Sequence, residues 1–448
     1  MPYPATIDSV NLPPLSNSTG WNQGPFINGT NLYVITASGI VGNKLTAYKS
    51  TDNGNTWAVV NLAGSPNFNV GGFLSCVLVG TKIFTAVVSV ANAKLAFLDM
   101  STDLWTTVTT AGAYGFPNAT GAILTYNETT ARGCNLVSRS DGSFVVPYIG
   151  TEVVGGPTFC RTRFDVWTGA AWSVADSICG ESGLANNDFC VGVVGGSGDR
   201  THVFYVEYAT KTVRLRTIKS DNSVTAAAQV IATIFDPGGA NTQSLAESVG
   251  RPAFNPATGE IALPYKDAAG HLNVATATSG DAPIWALTLV DNTKIVMEGA
   301  AGNAGAQVSV AFYTSVGLNI LFIDSTFVNF FVVSRTGAVW GAPKLLTTNT
   351  AVGFFQFQTI GTNDTADNTT RFLMVEVTGG SAAYFQAAGS SPALGPANIL
   401  ALDQQSIGGG GVIALPYVRS CCKLCEQPQR TGLPHPIQAS KGLTYARS

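Results

Sequence analysis

Ser50-Thr51-Asp52-Asn53-Gly54-Asn55-Thr56-Trp57 carries the chain's strongest turn signal. It has the form Ser-x-Asp-x-Gly-x-Thr-Trp, and the physics of each fixed position is that of a tight turn. Asp52 and Asn53 can bond backbone amides, Gly54 admits positive φ, Thr56 can bond locally, and Trp57 offers a large ring to bury beneath a hairpin. Ser50, Asp52, Gly54, Thr56 and Trp57 are therefore expected to brace a turn between two strands rather than to carry chemistry.

Working outward, the strand, turn and Trp-led strand recur. The run from Lys44 to Thr51 before Trp57 returns as Lys94 to Thr102 before Trp105, then as Phe164 to Val166 before Trp172. Weaker copies lead from Val213 to Gln229, Leu272 to Trp285, Phe330 to Trp340 and Ala383 to Ile399. Six intervals span the 342 residues from Trp57 to Ile399, or about 57 per repeat, near the length of a propeller blade. Each repeat also opens with two further apolar runs, such as Phe73 to Val79 and Lys82 to Val88. The cycle reads as a four-stranded antiparallel meander with Gly, Asn, Asp or Pro at the turns. Runs such as Asn319 to Ile323 are apolar on both sides, which suits sheets stacked face to face better than a sandwich with one solvated face.

The expected fold is thus an all-β propeller of four-stranded antiparallel blades, with seven or eight blades in one domain over residues 1–448. The ends suggest how the ring closes. Leu443 to Ser448 resembles the third strand Leu45 to Ser50, and Ile7 to Leu12 resembles the fourth strand Ala58 to Leu62. A C-terminal segment, 404–448, could complete a composite blade with residues 6–12.

The octapeptide matches the Asp box, or BNR repeat, of the sialidase-like β-propeller superfamily, which the chain resembles strictly over eight residues and loosely over most of its length. The resemblance implies a turn between the third and fourth strands, on the rim and away from any active site. Sialidases also use three arginines, one in an Arg-Ile-Pro motif near the start, with a Tyr-Glu pair and an Asp acid. The nearest match here is Arg251-Pro252, which lacks the Ile and lies mid-chain, so no catalytic residue is carried over.

Composition narrows the function classes. The 448 residues are 45% hydrophobic but only 11% charged, against an ordinary charged share of about 25%. A formal charge of −3, without a basic stripe, gives no reason to expect nucleic acid as a partner. No apolar run approaches the roughly 18 to 20 residues of a membrane helix, so no membrane insertion is expected. The first residues lack the basic head and apolar stretch of a signal peptide. Either the chain is not exported by that route, or a leader precedes it. Six Asn-x-Ser/Thr sequons, at Asn17, Asn28, Asn118, Asn127, Asn363 and Asn368, fit an extracellular or virion-associated setting.

Of the eight cysteines, Cys76, Cys134 and Cys190 fall at matching places in first strands, where a small buried thiol packs well. Cys160 and Cys179 are candidates for a disulfide, as are Cys421, Cys422 and Cys425 in a Pro-rich loop. No cofactor or metal site is expected. His202, His271 and His435 stand in no recognisable triad or metal-ligand pattern.

The long connections 109–133 and 235–250 gather aromatic rings with amide and carboxylate groups, a mixture that suits sugar faces and hydroxyls. Tyr114, Phe116, Asn118, Tyr126, Glu128, Glu247 and Arg251 are the candidate ligand-binding residues. The functional expectation is a non-enzymatic structural or surface-binding propeller contacting glycans or neighbouring subunits. The alternative is a glycoside hydrolase with carboxylates drawn from Glu128, Glu181, Asp188, Glu247 and Asp267.

Overall fold

The computed structural model describes residues 21–38, 44–52, 56–66, 73–89, 92–108, 136–236, 245, 248–295, 309–314, 317–324 and 329–348, with strand backbones at 355–357, 362–364, 369–376, 382–388 and 399–401. These form seven antiparallel sheets in chain order. The first contains β1 (Trp21–Asn28), β2 (Asn31–Ser38), β3 (Lys44–Ser50) and β4 (Ala58–Val60). The second contains β5 (Phe73–Val79), β6 (Lys82–Ser89), β7 (Asn92–Asp99) and β8 (Leu104–Val108). The third contains β9 (Val137–Ser138), β10 (Phe144–Val153), β11 (Thr158–Trp167) and β12 (Trp172–Ile178), and the fourth β13 (Asp188–Gly195), β14 (Thr201–Glu207), β15 (Thr212–Ile218) and β16 (Gln229–Thr233). The fifth contains β17 (Ala253–Asn255), β18 (Glu260–Lys266), β19 (His271–Thr278) and β20 (Ala286–Ile295). In the sixth, β21 (Ser309–Thr314), β22 (Gly317–Ile323) and β23 (Asn329–Thr336) are followed by β24 (Val339–Trp340) and β25 (Lys344–Thr348), which both pair with β23. The seventh has β26 (Phe355–Phe357) and β27 (Thr362–Asp364) on β28 (Thr369–Glu376), then β29 (Ala382–Ala388) and β30 (Ile399–Ala401).

These strands are rich in Val, Ile, Phe and Tyr because such side chains fit a pleated surface packed against neighbours. Alternation along a strand sends successive side chains to opposite faces, and here both faces are interior. On β14, Val203 joins the core between the third and fourth sheets, while Phe204 and Val206 join the core between the fourth and fifth. Phe84 and Phe144 pack between the second and third sheets, their ring centroids 5.0 Å apart. Tyr33, Ile35, Ile83 and Leu98 fill the space between the first and second. Each such buried side chain contributes roughly 1.5 to 3 kcal/mol. The first strands carry much of the packing between sheets: β1 lies beside β5, β13 beside β17, and β17 beside β21. Strands β27 and β28 lie beside β1, so the last described sheet neighbours the first. Near the fifth and sixth sheets the inner strands also bond directly, Arg251 N to Ser309 O at 2.9 Å and Ala311 N to Arg251 O at 3.0 Å.

Cys160, Cys179 and Cys190 share the core between the third and fourth sheets as buried thiols outside any disulfide, and Cys76 is likewise buried and unbridged. A disulfide between Cys160 and Cys179 is therefore not formed. Both behave as small apolar groups, and burial pushes the Cys179 thiol well up. Cys134, Cys421, Cys422 and Cys425 lie outside the described residues, as do the segments 6–12 and 404–448 proposed to close the ring.

His202 is fully buried in the seam between the fourth and fifth sheets. Its Nδ1 lies 3.0 Å from Thr217 Oγ1 and its Nε2 2.9 Å from Ser279 Oγ. Burial, reinforced by the charge of Arg200, lowers its pKa from 6.5 to about 4, against the opposing pull of Asp281. The unfolded chain thus takes up this proton first as pH falls. Stability from the neutral ring is complete above pH 6.5 and is lost on descending to about 4. The shift corresponds to roughly 3 kcal/mol at most. Urea unfolding at pH 7 and pH 4 should show a larger acid loss for the native chain than for His202→Asn.

Candidate functional site

A meander places the hairpins joining first to second and third to fourth strands at one end of each sheet. The remaining connections lie at the opposite end. Both ends carry clusters of polar side chains, but they are built differently.

At the end with the longer connections, residues 179–187 run between β12 and β13 around Arg161, whose side chain is fully buried. Arg161 Nε donates to Glu152 Oε2 at 2.6 Å, Nη1 donates to the carbonyls of Cys160 and Asn186, and Nη2 to that of Leu184. Glu152 also accepts Ser182 Oγ at 2.8 Å and the Gly183 amide at 3.0 Å. Burial alone would raise the Glu152 pKa, but Gly183, Ser182 and Arg161 together hold it below its ordinary value. Asp188, fully buried, accepts the amides of Thr162 at 2.6 Å and Glu181 at 2.9 Å, and burial raises its pKa. A side chain on Gly180 would meet the Asp188 carboxylate at 2.3 Å, so only glycine admits this approach. Glu181 accepts Tyr205 Oη at 2.7 Å and Arg214 Nη1 at 2.9 Å. Burial works against its ionisation, yet Tyr205, Arg214 and Arg216 outweigh it and lower the pKa. Asp267 is engaged in its own turn, accepting the Ala269 and His271 amides at 2.9 Å each. The carboxylates of Glu181, Asp188 and Asp267 are thus committed to holding loops and sheets together.

Tyr114, Phe116, Asn118, Tyr126, Glu128 and Glu247 lie outside the described residues. Arg251 is buried at the junction of the fifth and sixth sheets. In the octapeptide, Asp52 accepts Ser50 Oγ at 2.8 Å, the Thr56 amide at 2.8 Å and Thr56 Oγ1 at 2.7 Å. The Thr56 hydroxyl and amide lower the Asp52 pKa. Trp57 is half-buried, and Gly54 lies outside the described residues.

At the opposite end, polar contacts tie each of several sheets to the next. Tyr33 Oη donates to Asp103 Oδ1 at 2.8 Å, Arg139 Nη2 to Lys219 O at 3.0 Å, and Arg200 Nε to Asp281 Oδ1 at 2.7 Å. In the tie between the fifth and sixth sheets an Arg–Glu pair lies between two aromatic residues, Tyr313 and Trp340. Tyr313, Leu318, Arg335 and Trp340 pair directly across β21, β22, β23 and β24, so the four share one face of the sixth sheet. Arg335 Nη2 donates to Glu260 Oε1 at 2.8 Å and Oε2 at 2.6 Å, reaching across to β18. The two side chains retain 17% and 25% of their exposure. The guanidinium carbon lies 5.9 Å from the Trp340 ring centroid, and Trp340 is half-buried. Burial, then the neighbouring Glu260 charge, pushes the Tyr313 hydroxyl pKa up.

Two glycines make this row. Gly337, at φ 62°, begins the two-residue turn that folds Trp340 back opposite Arg335. Gly317 has φ 143°, and a side chain there would meet the Arg335 carbonyl oxygen at 2.2 Å. Sequence reasoning identified Trp340 as a repeat marker but missed its partnership with Arg335. The run Arg335-Thr-Gly-Ala-Val-Trp340 is the signal that could have revealed it, because a Gly-led turn sets those two residues in register.

No protein-family model matches the chain, and no curated protein matches it in sequence. Several solved structures are distantly similar. A lectin from Aleuria aurantia, described as a six-bladed β-propeller with a fucose recognition mode, is 13% identical, covering 74% of this chain and 98% of the lectin at a TM-score of 0.42. An ulvan lyase of polysaccharide lyase family PL25 is 10% identical, covering 90% of this chain and 96% of the lyase at a TM-score of 0.47. AofleA from Arthrobotrys oligospora is 12% identical, covering 75% of this chain and 87% of its own at a TM-score of 0.40.

Replacing Arg161 tests the first cluster. Arg161→Met leaves Glu152 and Asp188 without their buried cation, and the expected loss is about 3 to 5 kcal/mol. Thermal unfolding reads the loss, and amide exchange should quicken at 182–187 before elsewhere.

Proposed function

We propose that this chain is a non-enzymatic, carbohydrate-binding β-propeller whose ring consists of seven sheets. The position of β27 and β28 beside β1 supports a seven-membered ring without a composite blade. The turn bonds of Asp52 support kinship with Asp-box propellers.

The single observation that carries the binding reading is the row on the sixth sheet. Half-exposed aromatic surface lies beside a carboxylate and a guanidinium that remain partly open to solvent. Sugars present apolar C–H faces and directional hydroxyls, and such a mixture meets both. The non-enzymatic reading is supported by the use made of Glu181, Asp188 and Asp267, whose oxygens are occupied by backbone and side-chain donors. An exterior or virion-surface setting belongs to the same proposal, supported by low charge and the six sequons.

A glycan array including fucosides should retain the native chain on at least one neutral sugar. Trp340→Ala should weaken that binding by about tenfold or more, as loss of an aromatic anchor does, with little change in melting temperature. Equal binding by the variant would remove the site from consideration.

A further inference from the structure

We infer that the exposed edge of the Glu260 and Arg335 pair selects neutral pyranoses bearing vicinal hydroxyls and turns away carboxylated sugars. The selectivity rests on the glycan-binding reading above. Among the described residues, Glu260 is the only hydrogen-bond acceptor that the Arg335 side chain meets, and it meets it through Nη2 alone. Nε and Nη1 therefore keep their donor capacity. Each Glu260 oxygen takes one of these bonds, and the Tyr313 hydroxyl also approaches this carboxylate; an ionised carboxylate offers about four acceptor sites in all, so one still remains for a ligand.

A donor and an acceptor thus stand side by side, a hydrogen bond apart. Neighbouring hydroxyls on a pyranose have similar separation, and each can donate or accept. One hydroxyl can accept from Arg335 while the next donates to Glu260. The charges decide what else may enter. Arg335 is already balanced by Glu260, so an incoming carboxylate would gain little from the cation and would face an anion in a partly desolvated setting. Like charges placed together in this way discriminate strongly against the wrong ligand. Trp340 on one side of Arg335 and Tyr313 at the far end of the row offer apolar surface for the ring C–H groups.

The test is calorimetric titration of the full chain with methyl α-L-fucoside and methyl β-galactoside against N-acetylneuraminic acid and glucuronic acid. Neutral sugars should bind about tenfold tighter or more, the scale set by one charge-assisted hydrogen bond. Glu260→Gln leaves the Arg335 charge unbalanced, so affinity for neutral sugars should fall while that for acidic sugars rises, inverting the order. A purely supporting role for Glu260 would weaken both together. The selectivity is overturned if acidic sugars bind the native chain as well as neutral ones, or if Glu260→Gln leaves their ratio unchanged. Sugar binding that survives Trp340→Ala intact would sink this site while leaving glycan binding in place. No binding of any sugar would sink both. The native-chain ratio stands as a test even if Glu260→Gln fails to fold.

Discussion

Burial of both faces of the central strands is the constraint on which the rest of the molecule depends. Val203 and Phe204 are adjacent on one strand, yet they sit in different cores. A strand in that position cannot alternate apolar with polar, because neither side reaches water. It reads as a continuous hydrophobic run, and stacking one sheet on the next is what supplies the second buried face. Stability in such a stack is shared among interfaces, and the polar contacts that tie one sheet to its neighbour gather toward the two ends.

The two ends do this differently. Around Arg161 and Asp188, which are fully buried, each charged group is met by backbone carbonyls, amides or opposite charges. Buried ionic groups of this kind fix geometry more than they add stability. At the sixth sheet the Glu260 and Arg335 pair is partly open, and the neighbouring ring of Trp340 is half-buried beside it. A closed network holds a loop in one shape, whereas an open pair beside an aromatic ring retains unused hydrogen-bonding capacity facing solvent.

Much of the fold was legible in the sequence, because its causes are local. The Gly-led turns and double-sided apolar runs placed β5 to β8, β11, β12, β18 and β19 close to where they occur. Asp52 and Thr56 lie within one turn, so their contact could be read from spacing. The sheet-to-sheet ties could not. Glu260 and Arg335 are 75 residues apart, and nothing in either segment names the other. Cys160 and Cys179 illustrate the same limit, since proximity in a core does not distinguish two packed thiols from a bonded pair. Trp57 was expected beneath its hairpin and is instead half-buried, while Trp105, without the full octapeptide, is the more enclosed ring.

The strictly neighbour-to-neighbour character of these seams has an evolutionary consequence. Every tie described, from Tyr33 with Asp103 to Glu260 with Arg335, joins one repeat to the repeat that follows it. A tandem duplication or deletion of one unit would therefore recreate the same kinds of junction. The number of sheets can change by whole units while local chemistry is conserved, and only the contacts of β27 and β28 with β1 would have to be rebuilt.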